Sequence, residues 1–312
     1  MVSFFERFGL PEGKAICYSG FRNGQQPGGQ YPSYEELKED LLLLHGHWQY
    51  LRLYDCDPHA RTVLEVVRRE GLQFRILLGA FLDAEMNNFG CPWGGGVYDE
   101  ATLEANRQRN NERVVTLIEL ARAHPDIVCS LAVGNEACVD WTDHYVPVSR
   151  VIELVQQVKA GAPQPVTFCE NYVPWLNKLQ PLAEVLDFIS IHTYPVWEYK
   201  HIHEALDYTR ANYEMVARLY PHKPVIITEA GWATNSNGRG IDPWHVNEQN
   251  QQVYYEDLMQ WTGREKILTY FFEAFDEAWK GSPDPNEPEK HWGLFRTDRT
   301  PKKAVAHLYH RV

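Results

Sequence analysis

The chain has 312 residues, among them 10 Trp, 17 Tyr and 13 Phe, and a formal net charge of −12. That length accommodates one large barrel or two ordinary domains. The acidic balance argues against nucleic acid or an anionic membrane as partner and suits a neutral ligand, and six cysteines without a CxxC pair do not form a disulfide scaffold.

The start, Met1 to Phe8, lacks the basic flank and apolar core of an export signal. If the chain is complete the expectation is a cytoplasmic protein; a trimmed chain would point to a secreted or periplasmic one. The first predicted strand is Lys14–Tyr18, followed by a Gly- and Gln-rich loop over 20–30. Ser33, with Glu36 three residues later, caps a predicted helix over Tyr34–His45. Strand two, Tyr50–Tyr54, leads through Asp57 and Pro58 into a helix over Pro58–Glu70. Strand three, Phe74–Gly79, is followed by a long loop, Asp83–Asp99, that carries Trp93 and Gly94-Gly95-Gly96, and then a helix over Ala101–His124. Strand four, Val128–Val133, runs on to Asn135 and Glu136, with a helix over Val148–Ala160 behind it. Strand five is Pro165–Cys169, with a helix around Leu176–Leu186; strand six is Phe188–His192, with a helix over Ile202–Tyr220. Strand seven, Val225–Thr228, ends in Glu229 and opens a loop over Gly231–Trp244 before the helix Val246–Thr262. Strand eight, Leu268–Phe272, precedes a Pro-rich acidic loop over Gly281–Lys290.

Apolar runs rich in Val and Ile read as strands buried on both faces. Their strict alternation with helices, eight times over and without a linker, predicts an α/β fold, a (β/α)8 TIM barrel forming one domain over residues 1–312. In such barrels the C-terminal strand ends carry the chemistry. Read in order, those ends offer Tyr18, then Arg52 and Tyr54, then Asn135 and Glu136, then His192 and Tyr194, then Glu229 and Trp232, and finally Glu273, Glu277 and Lys280. Two carboxylates on different strand ends, ringed by aromatics, suit glycosidic bond cleavage. Arg52 is the candidate cation that keeps Glu229 charged. Trp232 is expected to stack on a sugar. Glu273 is expected to bond a hydroxyl or hold Lys280. For His192 two roles stand open, orienting the acid or filling the rim. No ligand cluster on the strand ends points to a metal, and no cofactor is expected.

The stretches Val133-Gly134-Asn135-Glu136, Ile227-Thr228-Glu229-Ala230-Gly231-Trp232 and Phe271-Phe272-Glu273-Ala274-Phe275-Asp276-Glu277 resemble the signatures of glycoside hydrolase family 17. That family holds β-1,3-glucanases and related glucanosyltransferases, and the resemblance extends as far as His291-Trp292-Gly293-Leu294-Phe295. It implies a retaining hydrolase of β-1,3-glucan chains or oligosaccharides, with Glu136 as general acid/base and Glu229 as nucleophile. It implies that Asn135 bonds a sugar 2-hydroxyl, that Tyr18 and Tyr194 line the innermost sugar site, and that Glu277 and Lys280 support the site. The same residues would serve a glucanosyltransferase; a silent carbohydrate-binding barrel is the reading from another class. The expected partner is a neutral β-glucan, and a monomer is favoured. The loop Asp83–Asp99 departs from the short loops of plant members, and Trp93 is expected to wall off one end of the sugar groove.

Overall fold

The structure is a computed structural model that describes residues 2–309. Eight parallel strands close into one barrel in the order β1 to β8: β1 (Ala15–Cys17), β2 (Tyr50–Leu53), β3 (Arg75–Ala80), β4 (Val128–Asn135), β5 (Val166–Asn171), β6 (Ile189–His192), β7 (Val225–Gly231) and β8 (Thr269–Phe272). Every strand pairs with its sequence neighbour, and β1 closes the ring on β8 through Ala15–Tyr270 and Ile16–Phe271. This is the (β/α)8 barrel that the alternation predicts. All six cysteines are free thiols, and Cys17, Cys129 and Cys169 lie within strands.

The helices begin where the chain supplies caps. Ser33 and Glu36 form a reciprocal capping box at Tyr34–Leu44, and Asp57 caps Pro58–Arg69 by accepting from the Ala60 N–H. The stretch around Leu176–Leu186 differs from expectation: it is two short helices, Tyr172–Trp175 and Gln180–Val185, separated by a turn. Pro174 and Pro181 each suit a first turn and neither suits a helix interior, so one continuous helix does not form. At the N-terminal end of the barrel a short helix, Phe4–Phe8, packs Phe4 against Phe188 and Phe5 against Tyr50. That end is thus sealed by aromatic rings, and the open face lies at the opposite end. Among the described residues, no helix is long and apolar enough to cross a membrane.

Strand ends are where the barrel departs from regular pairing. The register shifts between Ala132 and Asn135 on β4, between Ile191 and His192 on β6, and between Ile227 and Ala230 on β7. Such irregularities re-aim side chains at a barrel rim. Gly134 shows why the sequence needs glycine there: its φ is +93°, and a Cβ would come within 2.7 Å of Phe168. Next but one, Glu136 itself has φ +47°, an uncommon conformation for a non-glycine residue.

Candidate active site

A cleft of about 1430 Å³ opens at the C-terminal face of the barrel. Its lining includes Tyr18, Tyr54, Asn135, Glu136, Tyr194, Glu229, Glu277 and Lys280, with Trp93, Trp141, Trp197, Trp279 and Trp292 around them. Residues from six strands converge there because their positions at strand ends all project to one rim.

Glu229, at the end of β7, is buried and held on every side. Its Oε1 accepts from Arg52 Nη1 at 2.5 Å and from the Tyr54 hydroxyl at 3.1 Å; its Oε2 accepts from the Tyr194 hydroxyl. Arg52, fully buried on β2, also donates to the Thr228 carbonyl at 3.1 Å and to Asn135 Oδ1 at 2.5 Å. Burial alone would raise the Glu229 carboxyl, but the charges of His192 and Arg52 and the Tyr194 hydrogen bond outweigh it and hold the group below the usual carboxylate range. This residue is a fixed anion at neutral pH.

Glu136, at the end of β4, is held differently. Its side chain keeps 30% of its surface exposed and faces the cleft. Its carboxylate accepts from His192 Nδ1 at 2.8 Å, and the same nitrogen lies 3.5 Å from Glu229 Oε2. His192 therefore sits between the two glutamates. Burial disfavours its charge, yet the Glu229 charge, with Cys169 and Glu136, raises it to about 10. The two glutamates favour its protonated form, and its Nδ1 bond to Glu136 places it to orient the acid, the first of the two roles open from the sequence. Next to Asn135, His144 bonds the Asn135 carbonyl through Nε2 at 2.9 Å and Asp143 through Nδ1 at 2.7 Å. Those two acceptors outweigh its burial and raise its proton affinity.

One carboxylate oxygen from each of Glu136 and Glu229 and a ring nitrogen of His192 lie within 4.8 Å of one another. Carboxyl groups that act by double displacement stand about 5–5.5 Å apart, whereas about 6.5–9.5 Å is needed to place a water between them. These three groups could also present ligand atoms to a cation, a juxtaposition not visible in the sequence. The chemistry of the set fits a cation poorly: the Glu229 oxygens already accept from Arg52, Tyr54 and Tyr194, and His192 Nδ1 is engaged as a donor to Glu136.

At β8, Lys280 Nζ bonds both oxygens of Glu273, at 2.9 and 2.8 Å, and Glu277 at 2.5 Å. Burial opposes the ammonium charge, but the two carboxylates dominate and hold it above its usual range. Glu277 Oε1 also accepts from the Ser19 hydroxyl at 2.5 Å and from the Trp279 indole N–H at 2.9 Å, so the cluster is fixed from the segment after β1 as well.

Several sequence expectations need correction. Trp232 does not stack on a ligand: it is fully buried outside the cleft, donates its Nε1–H to the His245 carbonyl at 3.0 Å and packs on Tyr254. Its side chain points between β7 and the outer helix Glu248–Arg264, because alternate residues of a strand face opposite sides. Arg52 is, as expected, the cation on Glu229, and Glu273 takes the second of its two expected roles, holding Lys280; only direct sugar contact is corrected for them, since both are buried away from the cleft surface. Tyr18 lines the floor of the cleft, but its hydroxyl is turned to Asp40 at 3.2 Å. Sequence reasoning missed His144, Glu170 and Glu289. Glu170 is buried at the end of β5, accepts from the Cys138 and Asn171 backbone N–H groups, and is pushed up to about 8 by burial and then by the Glu136 charge. Glu289 is half-buried in the cleft wall and is pushed up to about 7, mainly by burial, with Lys280 pulling the other way. Glu170 directly follows the predicted strand Pro165–Cys169 and so carries the same strand-end signal as Glu136 and Glu229, whereas Glu289 lies in a charged stretch with no periodicity.

The whole barrel, from β1 to the Trp292 region, can be compared with known proteins. Residues 15–293 match the BtgE/BtgC glycoside hydrolase domain. The chain is similar to a glucan 1,3-beta-glucosidase of Arthroderma benhamiae, 23% identical over 91% of this chain and 88% of that protein. It is also similar to a probable beta-glucosidase btgE of Aspergillus terreus, 24% identical over 90% of this chain but only 45% of that protein, so it spans less than half of that relative. Among solved structures, an endo-laminarinase from Formosa Hel1_33_131 superposes with a TM-score of 0.80 at 26% identity, covering 98% of this chain and 89% of that one. Two carboxylates within 4.8 Å, on the strand ends of a barrel of which residues 15–293 match one family, lead to a single conclusion: the chain is a glycosidase and belongs to the BtgE/BtgC glycoside hydrolase domain family.

Proposed function

We propose that this glycosidase cleaves β-1,3-glucosidic bonds in neutral glucan chains or oligosaccharides by double displacement, as an enzyme of the family 17 type. The observation that carries the mechanism is the asymmetry of two carboxylates within 4.8 Å: one buried and held ionised, the other half-exposed to the cleft. Glu229 attacks the anomeric carbon, and Glu136 gives its proton to the leaving oxygen as that bond breaks. A covalent glycosyl-enzyme results. Glu136, now a carboxylate, takes a proton from water; the water oxygen displaces Glu229 and both residues return to their starting states. Asn135, fixed by Arg52 and facing the cleft, is placed to bond the 2-hydroxyl, whose hydrogen bonds strengthen in the oxocarbenium-like transition state.

The substrate class is supported by the names of the relatives, a glucan 1,3-beta-glucosidase and an endo-laminarinase. An acidic protein with five tryptophans around the cleft also suits a neutral sugar chain, since sugar rings stack on aromatic faces. The test is NMR of the anomeric proton during the first minutes of laminarin-oligosaccharide turnover. The β product is expected first. An α product means that a water enters between the carboxyls, and an absence of cleavage removes the substrate assignment. Chain lengths should also be followed: products longer than the starting oligosaccharide would make the protein a glucanosyltransferase using the same residues.

A further inference from the structure

The loops after β3 and β7 start four strands apart in either direction round the closed ring, and so from opposite sides of the barrel mouth. Their side chains nevertheless meet: the Arg239 guanidinium lies over the Trp93 ring, 5.9 Å from its centroid. Both residues line the same cleft as Glu136 and Glu229. The β3 loop is anchored on the β4 side of the rim, whereas the β7 loop is held by both its neighbours, with Asn235 and Asn237 Nδ2 donating to Asn286 Oδ1 at 2.9 Å and Asp284 Oδ2 at 3.0 Å in the β8 loop. The β3 loop is tied to the segment after β4, with Asn88 Nδ2 donating to the Asp140 and Thr142 carbonyls at 2.9 and 2.7 Å, and the Tyr98 hydroxyl donating to the Asp143 carbonyl at 2.8 Å. The β7 loop leans on the segment after β6: at Gly240, φ +75°, a Cβ would come within 2.5 Å of the Trp197 ring. Glycine is therefore required for that close approach. The β3 loop thus leans to the β4 side and the β7 loop reaches the segment after β6, so their contact encloses the β4–β5–β6 sector from its two ends. Arg239 is steadied from the β8 loop by Glu287 at 3.9 Å.

Glu136 stands at the end of β4, inside the enclosed sector, and in the proposed reaction it protonates the leaving group. From this arrangement we infer that the Trp93–Arg239 bridge bounds the leaving-group side of the cleft, so that the departing fragment is short and cleavage falls near the reducing end of the glucan. Trp93 and Arg239 are then specificity-determining residues. The inference rests on the glycosidase reading above and on the assignment of Glu136 as its acid. Trp93 and Arg239 are 58% and 55% exposed, so the bridge is a surface contact that single substitutions open without emptying the core.

The experiment uses laminarihexaose labelled at its reducing end, with the wild-type protein and the variants Trp93→Ala, Arg239→Ala and Arg239→Lys. Wild type is expected to release the label mainly on fragments of one or two glucose units. In Trp93→Ala and Arg239→Ala the share of label on longer fragments should rise at least about threefold, while Arg239→Lys, which keeps the cation over the ring, should stay nearer wild type. A wild-type label spread evenly over all lengths, or a distribution that neither alanine variant changes, overturns the bridge and leaves the glycosidase reading standing. Failure of the wild type to cut any β-1,3-oligosaccharide overturns both.

Discussion

The ends of β7 and β4 present the same residue type to the same cleft, yet they are built in opposite ways. At β7 the carboxylate of Glu229 accepts from an arginine and two tyrosines and is almost closed off from solvent. At β4 the carboxylate of Glu136 accepts from one histidine, keeps 30% of its surface open, and stands on a backbone at φ +47°. A nucleophile has to stay ionised and aimed, which needs fixed donors and a buried counter-charge. A group that gives and then takes a proton must be stabilised in neither form alone and must be reached by the leaving group and by water. In the proposed reaction this difference in packing matches the difference in role between the two strand ends.

The largest expected effect comes from removing either carboxylate. Glu229→Gln should lower kcat by at least about 10⁴-fold on every substrate, because in the proposed reaction it removes the attacking group. Glu136→Gln should lower it by about 10²–10⁴-fold on substrates with poor leaving groups, and much less on aryl glucosides whose leaving group departs without a proton. Steady-state kinetics on both substrate types checks this. If the two variants lose activity equally on aryl glucosides, the division of labour between β7 and β4 is wrong.

A smaller effect concerns the histidine that links the two sides. His192 has its proton affinity raised in the folded protein, to about 10, against about 6.5 for an unperturbed histidine. A group raised on folding stabilises the native state fully below the unfolded pKa and loses that contribution as pH rises through the folded one. The stability difference between wild type and His192→Asn should therefore be greatest near pH 6 and shrink steadily toward pH 10. Comparing the two proteins also cancels Glu289, which is raised to about 7 and does not feel His192; Glu170, raised to about 8, does feel the His192 charge and cancels only in part. Denaturant melts across pH measure the difference; one that stays constant over that range would show that His192 is neutral and that Glu229 gets its charge support from Arg52 alone.

The smallest effect on turnover should come from Trp232, immediately beyond the β7 end. Because it packs on Tyr254 and bonds the His245 carbonyl outside the cleft, Trp232→Phe should leave kcat/KM within about threefold while lowering unfolding stability by about 1–3 kcal/mol. A large rise in KM with unchanged stability would return this ring to the sugar site.

Trp232 also marks the limit of what the chain reveals by itself. Strands and helices were legible because apolar runs and caps are local, and a carboxylate at the end of such a run needs only the strand's length to be placed on the rim. Glu136 and Glu229 were legible for that reason, and Arg52 because a cation on a buried strand requires a partner. Which face Trp232 turns to depends on the register beyond the shift between Ile227 and Ala230, and that shift is a tertiary event. His144 lies on a loop and Glu289 in a single 3-10 turn, Pro288–Lys290, where no periodicity marks a residue as pointing inward. The contact of Trp93 with Arg239 joins positions 146 residues apart (239 minus 93) through two loops whose paths are set by hydrogen bonds to neighbouring loops. Only the side of that contact carried by Trp93 was visible, as a large ring beside three glycines.

The division between the two strand ends is tested most directly by chemical rescue with azide. In Glu229→Gly, azide entering the vacated space attacks the anomeric carbon once, while Glu136 still protonates the leaving group, and the glucosyl azide should have the α configuration. In Glu136→Ala, with an aryl glucoside as substrate, Glu229 still forms the glycosyl-enzyme and azide replaces water in the second displacement, so the azide should have the β configuration. NMR of the two products distinguishes them. An α-azide from Glu229→Gly together with a β-azide from Glu136→Ala is the expected result; the reverse pattern would exchange the roles of β7 and β4 and contradict the reading of their packing.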